Sequence, residues 1–139
     1  VRSMFLGMSM DTTREDMTQA VLEGVAFAIR DSLEVAKALG IAITRTNICG
    51  GGAKSPLWKK IMANVLRIPV DIVKEEEGPA LGGAMLAAVA CKEYATVEEA
   101  AQKIVKIVDT VYPDPELMER YEKRYQSFVR LYPAVRGLF

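Results

Sequence analysis

The sequence contains no histidine, so the side chain that proteins use most often as a general base and as a metal ligand is absent. Its two cysteines, Cys49 and Cys91, are too few for a disulfide framework, and we expect both to be buried thiols. Charge of one sign is not in excess either, because 18 basic residues balance 18 acidic ones. The composition therefore indicates no metal site and no strongly negative partner, such as nucleic acid or an anionic membrane.

Long apolar runs are also missing. No stretch approaches the roughly 20 apolar residues that a membrane-spanning helix needs, and no secretory signal is visible, so we expect a cytoplasmic protein. The 139 residues are enough for one domain with a substantial core. The chain begins at Val1 rather than Met, inside a semi-apolar segment, which suggests a fragment of a longer polypeptide.

Three consecutive glycines, residues 50–52, stand at the centre of the sequence pattern. The β-branched segment 44–49 before them is typical of a short strand, and the following Ser55 and Pro56 are typical of an N-cap and a first helical residue. A strand, a glycine turn and a capped helix can bind anions and nucleotides, because free N–H groups at a helix N-terminus favour negative charge. From the residues alone, a tight turn without a ligand is an equally good interpretation.

Two nucleotide motifs can be compared with this stretch. The phosphate loop of P-loop enzymes requires glycine directly before its lysine, and Ala53 occupies that place, so we reject this motif. The dinucleotide pattern G-x-G-x-x-G/A is matched at Gly50 and Gly52, with Ser55 in the last place, and Asp71 would then bind the ribose. A dinucleotide-binding oxidoreductase module is therefore a competing hypothesis, as is a non-catalytic module that self-associates.

Apolar residues at steps of three and four, placed between capping and stop signals, predict five helices. They are about 12–39, 56–66, 79–92, 96–111 and 115–133. The first and fourth begin with T-x-x-E capping boxes, at Thr12 and Thr96. Two strands, 44–49 and 69–73, are predicted, and two short strands cannot form a stable sheet alone. A third strand is then expected from residues 1–8 or from chain outside this sequence.

Two features of the predicted helices indicate close contacts. Gly82 and Gly83 stand side by side in the third helix, where glycine lowers stability, so we expect tight helix packing there, with a ligand or a domain hinge as the alternative. The last helix carries an apolar, aromatic-rich stripe formed by Leu117, Met118, Tyr121, Tyr125, Phe128, Val129 and Tyr132. Such a stripe is more typical of a core or a docking surface than of a ligand site.

Three blocks of the sequence resemble the FGGY carbohydrate kinases, which are sugar kinases of the actin-like ATPase superfamily. The first block is Ser3-Met4-Phe5-Leu6-Gly7-Met8, followed after seven residues by Asp16-Met17 and after two more by Ala20-Val21-Leu22-Glu23. The second is Gly50-Gly51-Gly52-Ala53-Lys54-Ser55 with Trp58, and the third is Gly78-Pro79-Ala80-Leu81-Gly82-Gly83-Ala84. All three stand in the family's order, which makes the resemblance specific.

The resemblance implies an α/β fold, helix-rich with a few short strands, that forms part of a C-terminal actin-like (ribonuclease H-like) ATPase domain. Residues 1–139 would be a fragment of that domain, without the N-terminal sugar-binding domain. Within the family the bacterial xylulokinases are most similar, and the gluconate and glycerol kinases share much of the pattern. The implied activity is phosphoryl transfer from ATP to D-xylulose, and the fragment alone is expected to be inactive.

Site roles also follow from the resemblance. Gly50 begins the adenosine-binding loop, in which Gly51, Gly52 and Ala53 offer backbone groups to the adenosine and the α-phosphate of ATP. Ser55 caps the helix beneath the loop, and Pro56 takes the place where many relatives hold an asparagine against the adenine. Gly82 and Gly83 would lie near the interdomain hinge. The cofactors implied are ATP and Mg²⁺, the catalytic Asp and the sugar site would lie in the absent domain, and a homodimer is possible.

Overall fold

The computed structural model describes residues 4–74 and 78–138, and the chain divides into two compact units. The first unit comprises the chain up to Ile43, the segment Asn64–Arg67 and the chain from Pro113 onward. The second comprises Thr44–Ala63 and Ile68–Tyr112. The helices are α1 (Arg14–Ala38), α2 (Pro56–Leu66), α3 (Gly78–Ala90), α4 (Val97–Ile104) and α5 (Pro115–Val135), and the strands are β1 (Thr46–Ile48), β2 (Val70–Val73) and β3 (Ile107–Val111).

Helix α1 begins one residue later than the sequence predicted. Thr13, and not Thr12, is the N-cap, and it forms a reciprocal capping box with Asp16. Thr12 Oγ1 instead accepts a hydrogen bond from the Ser9 N–H at 2.9 Å, which closes the preceding turn. The hydrogen bonds from the Thr13 backbone and side chain hold the pKa of Asp16 below its usual value. Gly40, at a φ of +82°, follows the helix as predicted.

The core of the first unit lies between α1 and α5. The ring of Phe27 packs against those of Tyr121, Tyr125 and Phe128, with centroid distances of 6.3, 5.9 and 5.4 Å. These three rings of the α5 stripe therefore pack in the core, whereas Tyr132 of the same stripe is 53% exposed. Each such ring pair contributes about 0.5–1.5 kcal/mol beyond its buried area. Pro133 does not end α5 as predicted, because the helix continues for two residues and the Arg136 N–H still bonds to Tyr132 O.

A hydrogen bond joins the last turn of α2 to the start of α5. The buried side chain of Asn64 accepts from the Asp114 N–H at 2.7 Å. The Asp114 carboxylate in turn accepts from the N–H groups of Glu116 and Leu117, so it is the N-cap that the sequence predicted ahead of Pro115. These bonds satisfy backbone groups that a helix start leaves without partners.

The second unit contains a three-stranded sheet in the order β1-β2-β3. β2 pairs with β1 in parallel and with β3 antiparallel. The predicted fourth helix, 96–111, is wrong beyond Ile104, because its last residues form β3. The third strand of this sheet is β3, which the sequence pattern did not predict; residues 4–8 form no regular element, and residues 1–3 lie outside the described residues. Further strands on chain outside this sequence stay a prediction. Pairing with β2 satisfies the β3 backbone and overrides the helical spacing.

Exposure differs from expectation at the cysteines and in α3. Cys49 and Cys91 are both exposed, so the predicted burial of the two thiols is wrong. Helix α3 contains no buried residue in the described structure. This differs from expectation because the helix carries no charged side chain. Among residues 4–74 and 78–138, no helix combines the length and the apolarity needed to cross a membrane.

Candidate nucleotide-binding loop

The glycine loop lies where β1 ends, and its local structure is the strand, turn and helix that the sequence predicted. Gly50 adopts a φ of +78°, which a residue with a side chain adopts only under strain. A single 3₁₀ turn, Gly51–Lys54, follows before α2 begins. The Ala53 N–H donates to Gly50 O at 3.0 Å, and the Ser55 N–H donates to Gly52 O at 3.1 Å.

The start of α2 is capped as predicted. Ser55 Oγ accepts a hydrogen bond from the Trp58 N–H at 3.2 Å, and Ser55 O accepts from the Lys59 N–H at 3.1 Å. Pro56 is the first helical residue, where the missing N–H costs nothing. The partial positive charge of a helix N-terminus therefore lies directly behind the loop.

The three glycines of the loop differ in their surroundings. Gly50 requires its positive φ, as described. A Cβ built on Gly52 would lie 2.9 Å from both Cδ1 and Nε1 of Trp58, closer than real Cβ contacts allow. Gly51 is exposed, has no positive φ, and would direct a Cβ toward no atom of the described residues within 4 Å. Neither backbone conformation nor a neighbouring atom of the described residues therefore requires glycine at position 51.

The start of α3 lies beside the loop. A Cβ on Gly78 would lie 2.5 Å from Sγ of Cys49, the residue between β1 and Gly50. Helices α2 and α3 therefore both begin close to the chain that leaves the carboxyl end of β1. Helix N-termini favour negative charge, so two helix starts at one strand end favour an anionic group there.

The structure places Gly82 and Gly83 one turn into α3, with free space around them. A Cβ on either glycine would meet no described atom within 4 Å, so the expected helix packing is absent from the described part of the chain. That Gly82 and Gly83 contact a ligand or lie at an interdomain hinge stays a prediction.

Asp71, the residue on which the dinucleotide hypothesis depends, is not available to a ribose. It is completely buried in the central strand β2. Arg45 Nε forms an ion pair with Oδ2 at 2.8 Å, and Thr110 Oγ1 donates to Oδ1 at 2.6 Å. The carboxylate therefore ties the sheet together, and the dinucleotide interpretation is wrong.

The loop itself offers binding groups rather than catalytic ones. Residues 50–58 contain no carboxylate, and the groups that they present are mainly backbone N–H and C=O groups. Within residues 4–74 and 78–138, no three His, Cys, Asp or Glu side chains are grouped as a metal site would require. Residues 50–58 therefore supply no carboxylate as a general base.

A groove of about 240 Å³ lies in the first unit, and sequence reasoning did not find it. Its lining residues are Gln19, Glu23, Leu117, Arg120, Tyr121 and Arg124. Glu23 accepts from Arg124 at 2.7 Å and from Gln19 at 2.8 Å, and its side chain is nearly buried. Because these polar groups bind one another, the groove joins α1 to α5 and is not the candidate site. No local signal reveals a pair 101 residues apart.

Comparison with known proteins gives this geometry a context. The profile of the FGGY family of carbohydrate kinases, C-terminal domain, matches residues 1–91. The chain is 30% identical to a xylulose kinase of Staphylococcus epidermidis over an alignment of 138 residues. This alignment covers 99% of this chain and 28% of that protein. It is 34% identical over 135 residues to a ribulokinase of Halalkalibacterium halodurans, with 93% of this chain and 24% of that protein covered.

Among solved structures, the xylulose kinase of Rhodospirillum rubrum matches with a TM-score of 0.83 at 32% identity, over 97% of this chain and 28% of that one. The expected helix-rich α/β fold, part of the actin-like ATPase fold of such kinases, is thereby confirmed. The chain spans about a quarter of the length of the curated relatives that it matches, 28% and 24% in the two cases given.

Proposed function

Since its family match covers residues 1–91, the chain belongs to the FGGY family of carbohydrate kinases, and we propose that it forms the nucleotide-binding part of a sugar kinase. Residues 1–139 would be a fragment of the C-terminal domain, joined in the full-length gene product to a sugar-binding N-terminal domain. The observation that carries the proposal is the exposed Gly51 beside the starts of α2 and α3. Its glycine identity is explained by a ligand that approaches the backbone closely.

The proposal gives each loop residue a role. Gly51, Gly52 and Ala53 present backbone groups to the adenosine and the α-phosphate of ATP, and Gly50 turns the chain so that they can do so. Ser55 holds the start of α2, as its bond to the Trp58 N–H supports. Pro56 is exposed and has no N–H, so its contact with the adenine is apolar or uses its carbonyl oxygen.

Chemistry is assigned to groups outside the described residues. The loop carries no carboxylate, and the family resemblance assigns the base that accepts the sugar hydroxyl proton to the N-terminal domain. When bound, Mg²⁺ would neutralise the phosphate charge that develops during transfer. The chain's own part is to bind and orient the nucleotide, and closure of two domains would exclude water. The 139 residues alone should show no turnover.

The sugar is proposed from the names of the relatives. Two of the proteins compared are xylulose kinases and one is a ribulokinase, so we propose a ketopentose substrate, with D-xylulose first. Gluconate and glycerol are the alternatives. The described residues form no sugar site that would separate these candidates.

The test is calorimetric titration of MgADP, with NADH as a parallel ligand, into the full-length gene product. We expect MgADP to bind and NADH not to bind. Gly51→Val should weaken MgADP binding by tenfold or more, on the order of what a misplaced contact costs. Gly137→Val is the matched control, because a Cβ there also meets no described atom within 4 Å. Absence of MgADP binding, or equal binding by the Gly51 variant, would refute the proposal.

A further inference from the structure

The indole of Trp58 and the backbone of Gly52 compete for one space. Any side chain at Gly52 would place its Cβ 2.9 Å from Cδ1 and from Nε1 of Trp58, so two atoms of the five-membered ring block this position together. An indole ring is rigid and can move only as a whole, so it yields less easily than the end of a lysine side chain does. Glycine at position 52 is therefore explained within the chain, without a ligand.

Two hydrogen bonds fix the backbone of Trp58 relative to the loop. The Trp58 N–H is bound to Ser55 Oγ at 3.2 Å, and the Ser55 N–H is bound to Gly52 O at 3.1 Å. These two bonds make Gly52, Ser55 and Trp58 one closed local unit. The half-buried indole fills the side of this unit that faces Gly52.

We propose that Trp58 is a positioning residue for nucleotide binding, which rests on the function proposed above. Its indole supports the 3₁₀ turn and sets the place at which the backbone of Gly52 and Ala53 meets the adenosine. Trp58 itself touches no nucleotide. Glycine is then required at the two positions for different reasons: at position 51 it leaves space for the nucleotide, and at position 52 it leaves space for the indole of Trp58.

A role in positioning has a consequence that a purely structural role lacks. Groups that bind a nucleotide lose affinity when they are misplaced by a fraction of an ångström to an ångström. A change at Trp58 should therefore raise the KM for ATP while the KM for the sugar and kcat stay nearly unchanged. A general loss of packing would instead lower the amount of folded enzyme and leave both KM values as they are.

The experiment is a double-mutant cycle in the full-length gene product with Gly52→Ala, Trp58→Leu and the combination of both. Each single variant should raise the KM for ATP and the Kd for MgADP, on the order of tenfold for a misplaced loop. In the double variant the methyl group of the alanine occupies the room that the smaller leucine leaves. We expect the double variant to bind MgADP more tightly than either single variant, so the two changes partly compensate each other.

The cycle separates failure of this inference from failure of the proposed function. If the unmodified protein does not bind MgADP, the proposed function fails and this inference fails with it. If it binds, but Gly52→Ala is equally harmful with and without Trp58→Leu, the Cβ meets the nucleotide and Trp58 is not a positioning residue. Unchanged MgADP affinity in both single variants would likewise exclude a positioning role for Trp58.

Trp58→Phe covers the case in which Gly52→Ala fails to fold. Phenylalanine keeps most of the apolar volume but lacks the five-membered ring whose Cδ1 and Nε1 meet Gly52. We expect the KM for ATP to rise several-fold, within the range that a small misplacement produces, at an unchanged KM for the sugar. Equal changes in the two KM values, or no change in either, would overturn the assignment.

Discussion

Arg30 donates a hydrogen bond of 2.6 Å from Nη2 to Oε2 of Glu122, and it does so from a side chain that is only 6% exposed. Its Nε and Nη1 are buried and donate no hydrogen bond to the described residues, although Nε lies 3.5 Å from Oε1 of Glu34 as an ion pair. The guanidinium carbon lies 3.9 Å from the centre of the Tyr125 ring. Glu122 is therefore the principal group that compensates the buried charge of Arg30.

Replacing Glu122 by glutamine should destabilise the first unit. The charge of Arg30 would stay buried with a weaker partner, and we expect the free energy of unfolding to fall by about 1–3 kcal/mol. Glu119→Gln on the same helix is the control, because its pair with Lys123 is exposed and is worth less than about 0.5 kcal/mol. Urea unfolding followed by circular dichroism measures both, and equal losses would contradict the assignment.

The same carboxylate predicts a loss of stability in acid. Burial opposes ionisation of Glu122, but hydrogen bonds from Gln126, Arg30 and Arg67 outweigh it and lower its pKa from 4.5 to about 2. A lowered pKa in the folded state adds stability above pH 4.5, and this stability is lost as the pH falls toward 2. Urea midpoints of the unmodified chain should decline over that window. The decline should be smaller in Glu122→Gln, and parallel pH profiles would refute the prediction.

Arg67 adopts a left-handed backbone conformation, with a φ of 61°, directly after α2 ends. This is the position at which helices commonly end in glycine. Arg67→Gly and Arg67→Ala both remove the ion pair with Glu122, which is 3.0 Å long. They differ in backbone freedom, so the glycine variant should be the more stable by about 1 kcal/mol. A thermal unfolding midpoint of the alanine variant at or above that of the glycine variant would exclude this strain.

Gly78 should not tolerate alanine while Cys49 is present. The added Cβ would lie 2.5 Å from the Cys49 Sγ, so the start of α3 must move away from the loop. We expect Gly78→Ala to lower the thermal midpoint and Cys49→Ala to restore it in the double variant, because only the sulfur is so close. Gly83→Ala is the control: it has free space and should be neutral or slightly stabilising. A double variant no more stable than Gly78→Ala would refute the contact.

Signals confined to a few neighbouring residues could be read from the sequence. Ser55 before Pro56 and Asp114 before Pro115 predicted the starts of α2 and α5. The start of α1 was missed by one residue because Thr12 with Glu15 and Thr13 with Asp16 both have capping-box spacing. Only the geometry shows that the second pair forms the bonds.

Features that depend on distant residues could not be read. Residues 107–111 have apolar positions that a helix would also use, and pairing with β2 decides in favour of a strand. The glycine loop was recognised from its composition. Only the structure shows that Gly50 is required by its positive φ and Gly52 by the nearby Trp58, and that Gly51 has neither requirement.

The contact between Trp58 and Gly52 has an optical consequence. The 139 residues contain one tryptophan, and its indole lies half-buried against the loop. The tryptophan fluorescence of this chain therefore comes from one side chain next to the glycine turn, and any event that moves the turn changes the polarity around the emitting ring. Trp58 is therefore an intrinsic fluorescent probe of the glycine loop, and no external label is needed there.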